Sequence, residues 1–104
     1  MREIDIDGLR EQLHGEQDTV LIDVREPAEY AEAHVPGAHL IPMGQLASRL
    51  DEVPRDRTVY VICRTGNRSG QMGPLLDAHG YDSVNVVGGT KAWVEAGHPY
   101  DTGA

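Results

Sequence analysis

Short apolar runs alternate with amphipathic segments along most of the chain. Each run is rich in Val, Ile and Leu and is bounded by charged residues, glycine or proline. Such runs are typical of strands that a parallel sheet buries on both faces. Strands that alternate with helices predict the α/β class, with a parallel sheet and right-handed crossovers. The predicted strands are residues 4–6, 19–24, 38–41, 59–62 and 84–87.

Between the strands, apolar residues three or four positions apart predict short helices. The predicted helices are residues 8–14, 27–33, 43–50, 69–78 and 90–96. Asp7 and Thr90 are the expected N-caps of the first and last helices, and Pro27 suits the first position of the second. Gly73 and Pro74 are poor helix formers, so we expect their helix to begin late or with a distorted turn. The third helix carries an apolar stripe made of Met43, Leu46, Ala47 and Leu50.

Length and charge exclude several classes of protein. A chain of 104 residues suits one domain with a modest core. Seventeen acidic and nine basic residues give a net charge of −8. This charge argues against nucleic acid or an anionic membrane as a general partner.

Cysteine and histidine usage restricts the chemistry further. The single cysteine permits no internal disulfide, which suits a reducing compartment, and we expect a cytoplasmic protein. The first seven residues are too acidic for a signal peptide, and no apolar run approaches the length of a membrane span. The five histidines are scattered, so we predict no metal site.

The single cysteine, Cys63, stands between a predicted strand and a predicted helix. Ligand chemistry in open parallel sheets gathers at the carboxyl ends of strands. Backbone N–H groups at the start of a helix lack internal partners, and the helix dipole adds positive potential there. The position therefore suits a thiolate. The alternative interpretation is that Cys63 is a small buried hydrophobe, which is a common role for a lone cysteine.

The segment that follows Cys63 favours a reactive thiol. Arg64 and Arg68 add positive charge, and Gly66 and Asn67 tolerate the positive φ angles that a tightly curled loop needs. A free thiol has a pKa of about 8.5, and nearby cations and helix N-termini lower it. A purely structural cysteine requires none of these features.

Three segments resemble the motifs of one family. Residues 63–69, Cys-Arg-Thr-Gly-Asn-Arg-Ser, resemble the active-site loop of single-domain rhodaneses, which are sulfurtransferases. Residues 21–30, Leu-Ile-Asp-Val-Arg-Glu-Pro-Ala-Glu-Tyr, and 34–42, His-Val-Pro-Gly-Ala-His-Leu-Ile-Pro, look like its N-terminal motif. Residues 88–99, Gly-Gly-Thr-Lys-Ala-Trp-Val-Glu-Ala-Gly-His-Pro, look like its C-terminal motif.

The resemblance implies an architecture. It covers about residues 4–99 of the chain. It implies a rhodanese-like three-layer sandwich, with a central parallel sheet of about five strands and helices on both faces. We therefore expect a single rhodanese-like domain over residues 1–104, with a short tail at 100–104.

The resemblance also implies a mechanism. The Cys63 thiolate would take a sulfane sulfur from a donor such as thiosulfate or a persulfide, and then pass it to cyanide or an external thiol. The small anionic donor, or a protein donor or acceptor, would be the partner, and no cofactor is expected. The expected catalytic residue is Cys63, and the expected donor- and persulfide-binding residues are Arg64, Thr65, Gly66, Asn67, Arg68 and Ser69.

Two other functions stay open from the sequence. The chain could be a sulfur carrier or a partner-binding module with little turnover of small molecules. Cysteine phosphatases and arsenate reductases use a related loop, but theirs has one more residue between the Cys and the Arg than the four found here between Cys63 and Arg68. A narrower loop favours a smaller sulfur anion over phosphate.

Three polar or aromatic residues outside the loop have structural interpretations. We interpret Asp23 as half of a structural ion pair or a loop tether rather than a general base, because charge networks often hold such groups. His34 lacks a partner at metal spacing and is interpreted as a loop-holding residue. Trp93 is expected in the core, with its N–H bound to a nearby acceptor.

Overall fold

The computed structural model describes residues 1–15 and 19–103, and within them five strands form one sheet. All neighbouring strands are parallel, in the order β1-β5-β4-β2-β3. The central strand is therefore β4, which ends immediately before Cys63. The strands are β1 (Arg2–Ile4), β2 (Val20–Asp23), β3 (His39–Leu40), β4 (Val59–Ile62) and β5 (Ser83–Val86).

Helices cover both faces of the sheet. They are α1 (Ile6–Leu13), α2 (Pro27–Glu32), a 3-10 helix (Met43–Glu52), α3 (Asn67–Gln71), α4 (Gly73–Ala78) and α5 (Gly89–Glu95). The α/β class and the three-layer arrangement around a five-stranded parallel sheet are confirmed. In the described ranges, no helix combines the length and the apolar character needed to cross a bilayer.

Two apolar clusters fill the space between the sheet and its helices. Alternate residues of a strand point to opposite faces, so Leu21 and Ile22 of β2 enter different clusters. One cluster contains Leu9 of α1 and Trp93 of α5. The other contains Leu46 of the 3-10 helix and Leu76 of α4. The prediction for Trp93 is confirmed, since it is buried and its indole N–H donates to the Pro99 carbonyl at 2.8 Å.

The structure differs from the prediction in the bounds of β1 and in the N-caps of α1 and α5. Strand β1 covers Arg2–Ile4 rather than 4–6, so α1 begins earlier. The N-cap of α1 is Asp5 and not Asp7, because the Asp5 carboxylate accepts a hydrogen bond from the Gly8 N–H at 2.8 Å. Thr90 was also wrong as an N-cap, since Gly88 holds that position in α5.

The predicted helix 69–78 is two helices, α3 and α4, that meet at Met72. Pro74 has no N–H to donate to a carbonyl four residues earlier, so a continuous helix would lose a hydrogen bond there. The Met72 N–H instead donates to the Ser69 carbonyl at 3.1 Å, which tightens the last turn of α3. The expected disruption at Gly73 and Pro74 is therefore confirmed as a break between two helices, but the late start is wrong, since α3 begins at Asn67.

The predicted helix 43–50 is a 3-10 helix with a kink at Arg49, where φ is −121° and ψ is 21°. Leu46 is buried and Met43 and Leu50 are half-buried, as the stripe predicted. Ala47 is exposed, and the kink at Arg49 separates it from Leu50, which would otherwise share its face at a three-residue period.

Candidate active site

Cys63 lies at the carboxyl end of the central strand, and 1% of its surface is exposed. Its carbonyl accepts hydrogen bonds from the Thr90 N–H at 2.9 Å and the Thr90 hydroxyl at 3.2 Å. The Arg64 carbonyl accepts from the Lys91 N–H at 3.0 Å. These are the unpaired N–H groups of the first turn of α5, so the start of that helix holds the start of the Cys63 loop, residues 63–69.

This attachment requires glycine at position 89. Gly89 has a φ of +59°, and a Cβ built there would lie 2.5 Å from the carbonyl oxygens of Cys63 and Arg64. Real Cβ atoms do not approach backbone atoms so closely. The Gly-Gly turn seen in the sequence therefore brings α5 against the Cys63 loop.

Donors from the same loop surround the Cys63 sulfur. The Gly66 N–H donates to Sγ at 3.1 Å, and the Ser69 Oγ lies 3.3 Å from Sγ. Gly66 has a φ of +110°, which turns the chain from the loop into α3. Burial raises the pKa of the Cys63 thiol, but hydrogen bonds from the Ser69 hydroxyl and from the N–H groups of Ser69, Gly66 and Thr65 outweigh burial. The resulting pKa lies below the ordinary value of a thiol.

Asn85 of β5 supports this loop through two side-chain contacts that the sequence did not predict. Its Oδ1 lies 2.5 Å from the Ser69 Oγ and competes with the Cys63 sulfur for the single hydroxyl hydrogen, while its Nδ2 donates to the Gly66 carbonyl at 3.0 Å. Only 7% of Asn85 is exposed. A polar residue inside the apolar run 84–87 was the available signal, because a buried amide requires partners.

Arg68 forms an ion pair with a carboxylate from another element. Its two terminal nitrogens donate to the two carboxylate oxygens of Glu29 at 2.6 Å and 2.8 Å. The hydrogen bond from Arg68 is the main cause that lowers the pKa of Glu29 to about 2. The partnership went unpredicted, because Glu29 lies 39 positions earlier in the chain, in α2.

The remaining loop side chains face outward. Arg64, Thr65 and Asn67 are exposed. Within residues 1–15 and 19–103, the Arg64 guanidinium has no hydrogen-bond or ion-pair partner. The structure thus brings Ser69 and the backbone of residues 65 and 66 to the sulfur, and leaves the side chain of Arg64 at the surface.

Asp23 and His34 lie in structural contacts, in agreement with their predicted roles. Asp23 is fully buried and forms an ion pair with Arg25 at 2.8 Å. His34 Nδ1 lies 2.7 Å from the Tyr30 carbonyl oxygen, and its ring stacks on the Tyr30 ring at 3.7 Å. Among the described side chains, no group of three His, Cys, Asp or Glu residues is arranged to hold a metal ion.

Comparison with known proteins identifies the family. The model of the rhodanese-like domain matches residues 5–96, and the chain belongs to this family. A protein of Allochromatium vinosum named "Sulfurtransferase" is 40% identical over 100 residues, which cover 95% of this chain and 94% of that protein. A "Putative sulfur carrier protein YrkF" of Bacillus subtilis is 33% identical over 92 residues, which cover 88% of this chain and 50% of that protein.

A solved structure agrees over the whole chain. The crystal structure of a rhodanese-like domain protein from Staphylococcus aureus has a TM-score of 0.90 to this chain at 32% identity, and all of both chains is covered. The fold expected from the three sequence motifs is therefore the fold of the family. The relatives described above are named for sulfur transfer and for sulfur carriage.

Proposed function

We propose that this protein is a thiosulfate sulfurtransferase-like enzyme that works through a persulfide on Cys63. The observation that carries the proposal is the set of donors aimed at the Cys63 sulfur. The Gly66 N–H and the Ser69 hydroxyl lie 3.1 Å and 3.3 Å from Sγ, at the carboxyl end of the central strand. Such donors stabilise negative sulfur, which is present both on the resting thiolate and on the persulfide.

The proposed reaction has two displacement steps. In the first, the Cys63 thiolate attacks the outer sulfur of a donor such as thiosulfate or a persulfide. The bond between the two donor sulfurs breaks, and sulfite or a thiolate leaves with the bonding electrons. In the second step, cyanide or an external thiol attacks the outer sulfur of the persulfide, and the Cys63 thiolate is released. No electrons are gained or lost overall, so the cycle needs no redox cofactor.

The other residues of the Cys63 loop have distinct proposed roles. The N–H groups of residues 64–69 bind the persulfide, and those of Thr65, Gly66 and Ser69 already lower the thiol pKa. The exposed Arg64 guanidinium is placed to attract an anionic donor. Asn67 is the first residue of α3, and the positive-φ Gly66 before it sets the direction in which the loop leaves the site.

The relative named as a sulfur carrier supports a second candidate function. In that function, Cys63 would receive sulfur from a protein and deliver it to another protein, with little turnover of small donors. The first step is chemically the same. Since Cys63 is the single cysteine of the chain, the acceptor thiol must come from another molecule in either case.

A phosphatase or arsenate reductase receives less support. Those chemistries need an arginine that faces the bound oxyanion, whereas both terminal nitrogens of Arg68 bind Glu29. The loop also has only four residues between Cys63 and Arg68.

The test is steady-state kinetics with thiosulfate as donor and cyanide as acceptor, read as thiocyanate formation. We expect ping-pong kinetics, because the first product leaves before the acceptor binds. C63S should abolish thiocyanate formation and still fold, since the change is nearly isosteric. Appreciable thiocyanate formation by C63S would refute the mechanism. Sulfur loading from a protein persulfide without turnover of small donors would favour the carrier function.

A further inference from the structure

The ion pair between Arg68 and Glu29 changes the charge of the candidate site. Its two hydrogen bonds are short and parallel, at 2.6 Å and 2.8 Å, and both side chains are 31% exposed. Bidentate contacts of this kind are the strong form of the arginine–carboxylate pair. Arg68 therefore does not offer a free positive charge to a donor.

The Glu29 carboxylate is held in place by its own surroundings. Its Oε1 also accepts from the Glu26 N–H at 3.1 Å. Arg25 donates to the carbonyls of Glu29 at 3.3 Å and Ala33 at 2.8 Å, and so fixes α2. Arg25 is itself paired with the buried Asp23. A chain of contacts that starts at the end of β2 thus positions the Glu29 carboxylate.

Two pairs therefore balance their charges near the loop, Asp23 with Arg25 and Glu29 with Arg68. Among the described residues of the Cys63 loop, this leaves Arg64 with the one uncompensated positive charge, and that side chain is exposed. Thiosulfate carries two negative charges, whereas organic thiosulfonates and persulfides carry fewer on the sulfur that reacts. Together with the negative Cys63 thiolate, Arg64 leaves the loop with almost no net charge, so the site lacks the positive charge that would favour the dianion.

We propose that Glu29 is a specificity-determining residue, which cancels the charge of Arg68 and makes the site favour persulfide-like donors of low charge over thiosulfate. The inference rests on the proposed sulfur transfer and adds the class of donor to it. Because Arg68 lowers the pKa of Glu29 to about 2, the carboxylate stays charged throughout the pH range of the reaction.

The test compares two donors that react alike and differ in charge. Thiosulfate is a dianion and methanethiosulfonate is a monoanion, and both deliver an outer sulfur to a thiolate. E29Q removes one negative charge, so kcat/KM with cyanide as acceptor should rise about tenfold for thiosulfate and about threefold for methanethiosulfonate, in proportion to donor charge. The preference for the monoanion should therefore fall about threefold.

Three controls separate charge from structure. E29D keeps the charge and should keep the wild-type donor preference. E32Q removes a charge from an exposed position of the same helix and should also keep it. E29Q/R68Q also removes the arginine that E29Q leaves unpaired, so kcat/KM for thiosulfate should no longer rise. Thermal unfolding of each variant reports whether it is folded.

The salt dependence of kcat/KM for thiosulfate tests the proposal on the wild-type protein. If the site is nearly neutral within an acidic protein, kcat/KM for thiosulfate should stay level or rise as salt is added. A steep fall with salt would indicate a positive site and overturn the proposal. Equal changes for both donors in E29Q would also overturn it, because a merely structural role affects both alike. If the wild type turned over neither donor, the proposed function would be refuted as well.

Discussion

Replacement of Gly89 by alanine tests whether close contact between α5 and the Cys63 loop holds the candidate site together. The new Cβ would lie 2.5 Å from the carbonyl oxygens of Cys63 and Arg64. Both are backbone atoms, so a side-chain rotation does not relieve the clash. The start of α5 must move, and the hydrogen bonds from the N–H groups of Thr90 and Lys91 must lengthen or break.

The expected loss of stability has three parts. A non-glycine residue with positive φ costs about 1–2 kcal/mol. Excess volume in a packed region costs about 1–3 kcal/mol. Each weakened hydrogen bond adds up to about 1 kcal/mol. Since these terms overlap, we expect G89A to lose about 3–5 kcal/mol out of the about 5–15 kcal/mol that stabilise a typical domain.

The matched control is G97A. Gly97 also has a positive φ, +82°, but a Cβ added there would have no heavy atom within 4 Å. This variant should lose only the conformational part, about 1–2 kcal/mol. Urea unfolding of both variants measures the difference, and alkylation of Cys63 against pH shows whether the loop has moved. Equal losses of stability in G89A and G97A would refute the close contact.

The contacts of the Cys63 loop lead to three further predictions. S69A should raise the pKa of Cys63, because it removes a hydroxyl donor from the sulfur, while S48A, at an exposed serine, should not; an unchanged alkylation profile in S69A would contradict this. The Glu29 pKa of about 2 lies below its ordinary value, so its ion pair stabilises the fold fully above about pH 4.5 and is lost as the pH falls toward 2; the difference in unfolding free energy between wild type and E29Q should shrink over that range, and a constant difference would count against it. Insertion of one glycine between Asn67 and Arg68 should abolish sulfur transfer and allow phosphate or arsenate to protect Cys63 from alkylation; equal protection of the wild type by phosphate and thiosulfate would favour the phosphatase.

The sheet and the position of Cys63 were predictable because they depend on local patterns. Strands β2 and β4 begin as runs of Val, Leu, Ile and Tyr, and Cys63 follows the run that becomes the central strand. The family motifs added the strand count and the layers. The order of the strands came only from the structure, since pairing joins residues far apart in the chain.

Contacts over long sequence distances explain what was missed. Glu29 and Arg68 each look like exposed charges of separate elements, and only the fold brings α2 to the Cys63 loop. Asn85 contacts Ser69, which lies 16 positions earlier in the chain, and the residues around Asn85 do not indicate this partner. Thr90 had the side chain of an N-cap, but its hydroxyl is used on the Cys63 carbonyl instead.

The intact mass of the protein after incubation with a sulfur donor tests the central claim most directly. Wild-type protein exposed to thiosulfate, methanethiosulfonate or a polysulfide should gain one sulfur atom, and cyanide should remove it. C63S should gain none under the same conditions. Addition of sulfur to C63S, or its absence from the wild type with every donor, would contradict a persulfide on Cys63.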